Sequence, residues 1–442
     1  MRISRYNVYI DAGSNQSFIY NTMTTSLLIV DNTVRLTLEK NIESIDPSVV
    51  PSLKKCGILV DDDTDELKMY RLAHNTAKYN TDTSSFLIFT TYACNLYCPY
   101  CYEGPATAQC RSSSMSPHMT SAVVEFICNQ VIHDKTRKVG VVLYGGEPLL
   151  NLDCCTTVLQ EVSQWCKTNN LKFSATLMTN GTLFTEKVYN KIGEYLSYVH
   201  ITLDGPQRFH DKTRVRKDGS ATYWHILQNV EQLKDKSVYI SIRVNITEEN
   251  RHFIGDVLYD LEQIGFKGRP RFHIYFSQVI PYKYCLTFSP DPEFSEQNKK
   301  CAQYISSLMK MARDQGWGAH LDADFGEGQP LLSAGALSCG YIKCGIYSID
   351  PEGDIYICPA LAGDTRYRTG QIENGSAEWY PAYYDILTRD PSSEAPCNVC
   401  EVLPLCGGGC PIASSVREDS SQCHSKEVLY DRLKAYLESR YL

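Results

Sequence analysis

The sequence predicts an α/β protein: a partial (β/α)6 TIM-like barrel set between a small N-terminal domain and a loop-rich C-terminal one. Three observations predict it. From residue 86 onward, six β-branched and aromatic runs alternate with stretches of helical apolar spacing, as parallel strands with crossover helices do. Before residue 84 the order is a few strands and then helices. After about residue 325 the periodicity fades, while Gly, Pro and Cys become frequent. The expected domains are therefore 1–83, 84–325 and 326–442.

In the first segment, 7–10, 18–20 and 26–30 read as short strands between polar breaks. A helical stretch follows Pro47, with Val50, Leu53, Ile58 and Leu59 as its apolar positions, and 66–78 reads as a further helix. The barrel strands are expected at 86–91, 139–144, 172–179, 199–204, 238–245 and 272–276. The helices between them are expected at 117–132, 153–167, 185–197, 223–235 and 249–264. Such a barrel keeps its chemistry at the C-terminal ends of the strands, so those ends are where function is to be read. The region beyond 325 has little regular pattern and needs stability from elsewhere, metal staples being one source. Residues 426–441 read as a terminal helix.

Apolar residues make up 43% of the 442 and charged residues 21%, the values of a globular chain with a sizeable core. A net charge of −8 argues against a general nucleic-acid binder, which carries a basic excess. No apolar run reaches the ~18–20 residues of a membrane helix. The basic start Met1-Arg2-Ile3-Ser4-Arg5 runs into polar residues and Asp11, not into the apolar stretch of a signal peptide. A cytoplasmic protein is expected. In that compartment 19 cysteines point to metal or redox chemistry, not to disulfides.

Cys94-Asn95-Leu96-Tyr97-Cys98-Pro99-Tyr100-Cys101 has the spacing C-x3-C-x2-C and follows the first barrel strand. Chance alone gives that spacing somewhere in this chain with a probability of about 0.04, before its position is counted. Structural zinc asks for four protein ligands, and the nearest further candidate, Cys110, lies beyond a Gly-Pro turn. Three thiolates suit a four-iron cluster with one iron left open to bind a ligand. On Cys94, Cys98 and Cys101, with aromatic Tyr100 before the last, the chain resembles the radical S-adenosylmethionine (SAM) superfamily. The resemblance implies a [4Fe-4S] cluster whose open iron is chelated by the amino and carboxylate groups of SAM. It further implies reductive cleavage of SAM to a 5′-deoxyadenosyl radical that abstracts a substrate hydrogen, and places Tyr100 near the adenine.

Tyr144-Gly145-Gly146-Glu147-Pro148 follows the second strand. Paired glycines let backbone approach a ligand closely, and Glu147 is a candidate acceptor for the SAM ammonium. Gly-Gly-Glu-Pro alone is a common turn; its place behind that cysteine motif gives it a function. Asn180-Gly181-Thr182 ends the third strand, Thr202 and Asp204-Gly205 the fourth, Arg243 with Asn245 the fifth. These resemble family positions that bind the ribose and carboxylate of SAM, although Arg243 equally suits a structural ion pair. Asp211, Arg214 and Arg216 follow the fourth strand and either line the substrate mouth or face water.

A second cysteine set comprises Cys339, Cys344, Cys358, Cys397, Cys400, Cys406, Cys410 and Cys423, with C-x2-C-x5-C-x3-C from Cys397 to Cys410. Eight cysteines in so short a stretch exceed any packing requirement and equal the number that ligates two four-iron clusters; two zinc sites are the plain alternative. The pattern resembles the SPASM domain, the auxiliary-cluster extension of many radical SAM enzymes. That resemblance implies Cys339, Cys344, Cys358 and Cys410 on a nearer cluster, and Cys397, Cys400, Cys406 and Cys423 on an outer one. If Cys339 is not a ligand, the nearer cluster has an open iron. The remaining Cys56, Cys110, Cys128, Cys154, Cys155, Cys166, Cys285 and Cys301 are expected to be reduced and structural.

SPASM extensions are associated mainly with modification of peptides and proteins. The N-terminal module, with Leu53-Lys54-Lys55-Cys56-Gly57-Ile58-Leu59, looks like the winged-helix-like leader-recognition domain of enzymes that mature ribosomal peptides. Such domains add the leader as an extra strand at a sheet edge. The resemblance implies a maturase of a ribosomally made precursor peptide, using three [4Fe-4S] clusters, SAM, and a donor such as flavodoxin or ferredoxin. Hydrogen abstraction would lead to a thioether or carbon–carbon crosslink, or to another backbone or side-chain modification. The alternative is an anaerobic sulfatase maturase forming formylglycine. Against it, those enzymes begin almost directly at the cysteine motif and carry an acidic residue where this chain has Pro359. A non-catalytic iron–sulfur redox sensor or scaffold is the alternative of another class, and predicts no SAM binding.

Overall fold

The computed structural model describes residues 1–101, 113–279, 300, 304–305, 307–317, 337–412, 423 and 425–441. Strand β1 (Arg2–Ile3) precedes an antiparallel sheet of β2 (Asn7–Gly13), β3 (Gln16–Asn21) and β4 (Leu27–Asp31), in that order. Helix α1 (Asn32–Lys40) follows, carrying Thr33, Val34 and Thr37. Its β-branched residues lower helix propensity and hide it from a sequence reading; burial of Leu38 against Ile19 of β3 holds it. The helix expected after Pro47 is shorter than its apolar positions suggest. Helix α2 (Val50–Lys55) stops before Gly57, which takes φ +74°, and Ile58 and Leu59 turn away into β5 (Leu59–Val60), paired with β1. Helix α3 (Glu66–Lys78) ends the segment.

Strands β6 (Thr83–Thr91), β7 (Lys138–Gly145), β8 (Lys172–Thr179), β9 (Tyr198–Leu203), β10 (Tyr239–Ile246) and β11 (Phe272–Gln278) pair in parallel, each with the next. Helices α4 (Pro117–His133), α5 (Leu152–Thr168), α6 (Glu186–Ile192), α7 (Gln207–Thr213), α8 (Tyr223–Glu231) and α9 (Ile254–Gln263) occupy the crossovers. Val139, Val141 and Leu143 of β7, Val199, Ile201 and Leu203 of β9, and Ile240, Ile242 and Val244 of β10 pack on the helices in the main core. The two-residue period turns the alternate set, including Tyr144, Met178, His200, Thr202, Arg243 and Tyr275, to the other face. Cys154, Cys155 and Cys166 are buried in this core and Cys128 packs against it. Cys56 packs beside Ile19, Leu38 and Ile58. Cys110, Cys285 and Cys301 lie outside the described residues.

The sheet continues past β6. Strand β12 (Ile346–Ile349) pairs parallel to β6, and β13 (Asp354–Tyr356), β14 (Gly370–Glu373) and β15 (Ser376–Trp379) extend it antiparallel to ten strands. This corrects the expectation of little regular structure after 325. Strands of three or four residues are too short for a two-residue alternation to declare itself. Helices α10 (Pro381–Thr388), α11 (Leu403–Cys406) and α12 (Ser425–Tyr441) complete the C-terminal part. No described helix is long and apolar enough to cross a membrane.

Candidate active site

The Cys94–Cys101 loop leaves the C-terminal end of β6, and three neighbouring strand ends hold it. At the end of β7, the Gly146 N–H donates to the Thr91 carbonyl at 3.0 Å and the Glu147 N–H to the Ala93 carbonyl at 2.9 Å. Two backbones thus run side by side. Gly145 sits at φ +130°, and a Cβ on Gly146 would lie 2.5 Å from the Ala93 carbonyl oxygen, so glycine is required at both positions. Glu147 is wholly buried. Its Oε1 accepts from Thr179 Oγ1 at 2.8 Å and from the Leu149 N–H at 3.2 Å, and its Oε2 from the Asn180 N–H at 2.8 Å. Burial pushes its carboxyl up to about 6 against the pull of those donors. Three of its roughly four acceptor sites are therefore used, two in tying β7 to β8 and one in closing its own turn. Pro148 opens the turn that follows.

At the end of β8, Asn180 Nδ2 donates to Asn95 Oδ1 at 2.8 Å and stands 3.9 Å from Cys94 Sγ. Asn95 Nδ2 donates in turn to Thr182 Oγ1 at 2.8 Å. The Asn-Gly-Thr triplet is thereby a clasp on the first cysteine. At the ends of β9 and β10, Asp204 accepts from the Tyr100 hydroxyl, from Thr213 Oγ1 at 2.7 Å and from Asn245 Nδ2 at 3.0 Å. Arg214 Nη1 donates to Tyr100 Oη at 3.0 Å and lies 3.9 Å from Asp204 Oδ1. Arg214 is buried; burial works against its charge, but Tyr100, Asp204 and Cys98 around it hold it protonated. The sequence leaves Arg214 either lining the substrate mouth or facing water; its burial against Tyr100 and Asp204 is not legible there.

Arg243 lies opposite Thr202 of β9 and Tyr275 of β11. Its Nε donates to Asn245 Oδ1 at 3.0 Å and its Nη2 to Ser277 Oγ at 2.9 Å. Among the described residues it forms no ion pair, so its neighbours there are neutral acceptors. The structure thus gathers Tyr100, Gly145, Gly146, Glu147, Asn180, Asp204 and Arg243 around the strand ends that carry the cysteine loop.

The second set falls into two groups. Cys339, Cys358 and Cys410 face one another; burial pushes the Cys358 thiol up to about 12, and Cys410 and Cys339 add to it. Cys344 packs with Cys339 around Ile342, Ile357 and Leu387, but the charged groups beside its thiol are Asp134, Lys78 and Lys343. Cys397, Cys400, Cys406 and Cys423 line a cavity of about 130 Å³, walled also by Glu401 and Lys426.

The donor set is one of thiols, the ligands that iron–sulfur clusters and zinc both take. Among the described residues, no three His, Cys, Asp or Glu side chains converge as on one ion. Zn–S bonds near 2.3 Å would bring tetrahedral sulfurs to about 3.8 Å of one another. A four-iron cubane gives each thiolate its own iron, so its ligands ring a wider space. Burial raises the Cys94 thiol to about 12 and the Cys98 thiol to about 11. Coordination is what makes such thiols into thiolates.

The profile of the Radical SAM superfamily matches residues 88–258, the stretch from β6 into α9. The chain carries a Radical SAM domain. With the domain come a [4Fe-4S] cluster and SAM, and the protein is an enzyme. The cysteine-type anaerobic sulfatase-maturating enzyme of Clostridium perfringens strain 13 is 24% identical over 344 residues, 74% of this chain and 88% of its own. The structure of native anSMEcpe with bound AdoMet superposes with a TM-score of 0.62 at 19% identity, covering 80% of this chain and 97% of that one. Streptococcus suis SuiB bound to precursor peptide SuiA superposes with a TM-score of 0.52 at 14% identity, covering 95% of this chain and 98% of that one. At these identities the likeness is one of fold.

Proposed function

We propose that the radical SAM domain serves a peptide maturase: an enzyme that takes a hydrogen atom from a residue of a ribosomally made precursor and leaves a thioether or carbon–carbon crosslink, or another modification. The observation that carries this reading is the extent of the fold. SuiB, solved with its precursor peptide SuiA, matches 95% of the chain, while anSMEcpe leaves a fifth unmatched. The N-terminal sheet supports it. Strand β4 pairs with β3 alone among the described residues, which leaves an edge for an added peptide strand.

In this reading Cys94, Cys98 and Cys101 hold the first cluster. A cluster and SAM bound there would supply one-electron reducing chemistry for radical abstraction of a substrate hydrogen. The chain's own residues orient these partners. Gly145 and Gly146 bring bare backbone to SAM, Glu147 and Pro148 fix that turn, and Asn180 and Asp204 hold the cysteine loop from both sides. Thr202 and Arg243 face the cleft, where the guanidinium suits a carboxylate. Cys339, Cys344, Cys358 and Cys410 would hold a nearer auxiliary cluster, and Cys397, Cys400, Cys406 and Cys423 an outer one. Flavodoxin or ferredoxin is the class of donor such a cluster needs. The expected domains are 1–83 for leader recognition, 84–325 for the barrel and 326–442 for the auxiliary clusters.

A second reading, an anaerobic sulfatase maturase, is favoured by the 24% identity. Pro359 after Cys358 speaks against it, because that step needs a base there. Co-expression with a precursor peptide should give a mass loss of two hydrogens per crosslink and no aldehyde. A hydrazide-reactive aldehyde on a sulfatase peptide would decide for the second reading. Gly146→Ala tests the SAM site separately. The new methyl meets the Tyr92 and Ala93 carbonyls just before Cys94, so SAM affinity measured by equilibrium dialysis should fall at least tenfold, about 1.4 kcal/mol, and the first cluster should hold its iron less tightly. Affinity within twofold of wild type would remove Gly146 from that site.

A further inference from the structure

We infer that the outer cysteine pocket is the docking platform of the N-terminal domain, so that the state of the cluster there governs where the peptide-recognition domain sits. The inference rests on the proposed outer cluster and adds a role for it. The contacts that join the N-terminal sheet and the chain before it to the rest of the molecule fall on this pocket, while α3 is tied separately to Arg389, Ser392 and Cys344. Arg5 donates to the carbonyl of Asn398, which lies between Cys397 and Cys400. Thr22 Oγ1 donates to the carbonyl of Glu401, the residue after Cys400, at 2.6 Å. Tyr6 and Tyr70, both fully buried, pack with Leu403 against Cys397 and Cys400.

The other face of the N-terminal sheet completes the arrangement. Val8 and Ile10 of β2 and Phe18 and Tyr20 of β3 pack on Val402, Leu405, Leu433 and Leu437. Val402 and Leu405 lie between Cys400 and Cys406, and α12, which supplies the two distal leucines, begins just after Cys423. Farther along, Arg71 pairs with Asp390 at 3.0 Å. The barrel's own core includes no residue before Phe86.

The segments that form this platform are short: a three-residue turn at Cys397–Val399 and the four-residue α11. Helices of that length do not hold themselves. Four ligands on one cluster would staple residues 397–406 to the start of α12, and metal binding of this kind is folding free energy for the loops it joins. Loss of the cluster then frees both halves of the platform at once: the carbonyls that receive Arg5 and Thr22, and the helix under the sheet. The enzyme would keep a working barrel but lose the fixed placement of the domain that presents its peptide.

The test is hydrogen exchange on anaerobically reconstituted full-length protein. Cys406→Ser and Cys423→Ser should each lower iron from about twelve to about eight per chain. They should speed exchange of amides in β2 and β3 at least about tenfold, while β7–β10 stay within about twofold of wild type. 5′-Deoxyadenosine formation should persist. The variant Arg5→Ala/Thr22→Val keeps every cysteine and guards against general unfolding: it should speed the same N-terminal amides at an unchanged iron content. Four irons lost with N-terminal exchange unaltered overturns the inference, as does unaltered exchange in Arg5→Ala/Thr22→Val. A wild-type protein that never holds the outer irons yet protects its N-terminal amides overturns it together with the two-auxiliary-cluster reading, and the iron count separates the two failures.

Discussion

Replacing Cys94, Cys98 and Cys101 together by alanine will bring formation of 5′-deoxyadenosine from SAM and dithionite to background, while the protein keeps about eight of about twelve irons. The loss should be complete because nothing else among the described residues offers three cysteines at the strand ends that the Radical SAM profile covers. The protein should survive it. The three cysteines take no part in the strands' packing: none belongs to the main barrel core, and it is Tyr92, ahead of them, that packs on Leu87 and Phe89 of β6 and on Tyr144 of β7. Far-UV circular dichroism and β7–β10 hydrogen exchange should therefore match wild type. Persistent SAM cleavage would take the first cluster away from these cysteines. Loss of all iron would mean that the auxiliary sites fill only through the first. Wild-type protein that binds zinc, or binds iron and never cleaves SAM, would return the chain to the sensor or scaffold reading.

The sequence and the structure agree where a signal is local. A C-x3-C-x2-C run, a Gly-Gly pair and strands of six to nine residues are each written in consecutive positions, and the six barrel strands stand close to where periodicity puts them. Agreement fails where the property belongs to the tertiary structure. Asn180 reads as a SAM contact but also grips Asn95 beside Cys94, which only the approach of β8 to the loop reveals. Glu147 reads as a ligand for an ammonium, yet three donors of its own chain occupy it. Helix α1 is concealed by its β-branched residues, and β12 by its four-residue length. Most of all, Arg214 reads as a cation that lines the substrate mouth or faces water. Its burial depends on Asp204, ten residues earlier, and on Tyr100 in another loop.

That last pairing sets up the second large effect. Asp204→Ala should destabilise the barrel by about 3–5 kcal/mol, because it leaves the Arg214 guanidinium buried without its carboxylate. For a domain of this size that is a fall of roughly 6–20 °C in the anaerobic melting temperature. The same substitution removes the acceptor that Tyr100, Thr213 and Asn245 share. Tyr100 lies between Cys98 and Cys101, so the first cluster should also lose iron to a chelator several-fold faster than wild type. The double variant Asp204→Ala/Arg214→Met separates charge from shape. If the uncompensated cation is the main cost, removing it should return a large part of the stability, a coupling of the size expected for neighbours in one network. The iron lability should remain, since Tyr100 still lacks its acceptor. Were Asp204→Ala within about 1 kcal/mol of wild type, below the usual cost of breaking a buried pair, Arg214 must find water or another anion, and the Asp204–Arg214–Tyr100 network would not be what holds the cysteine loop.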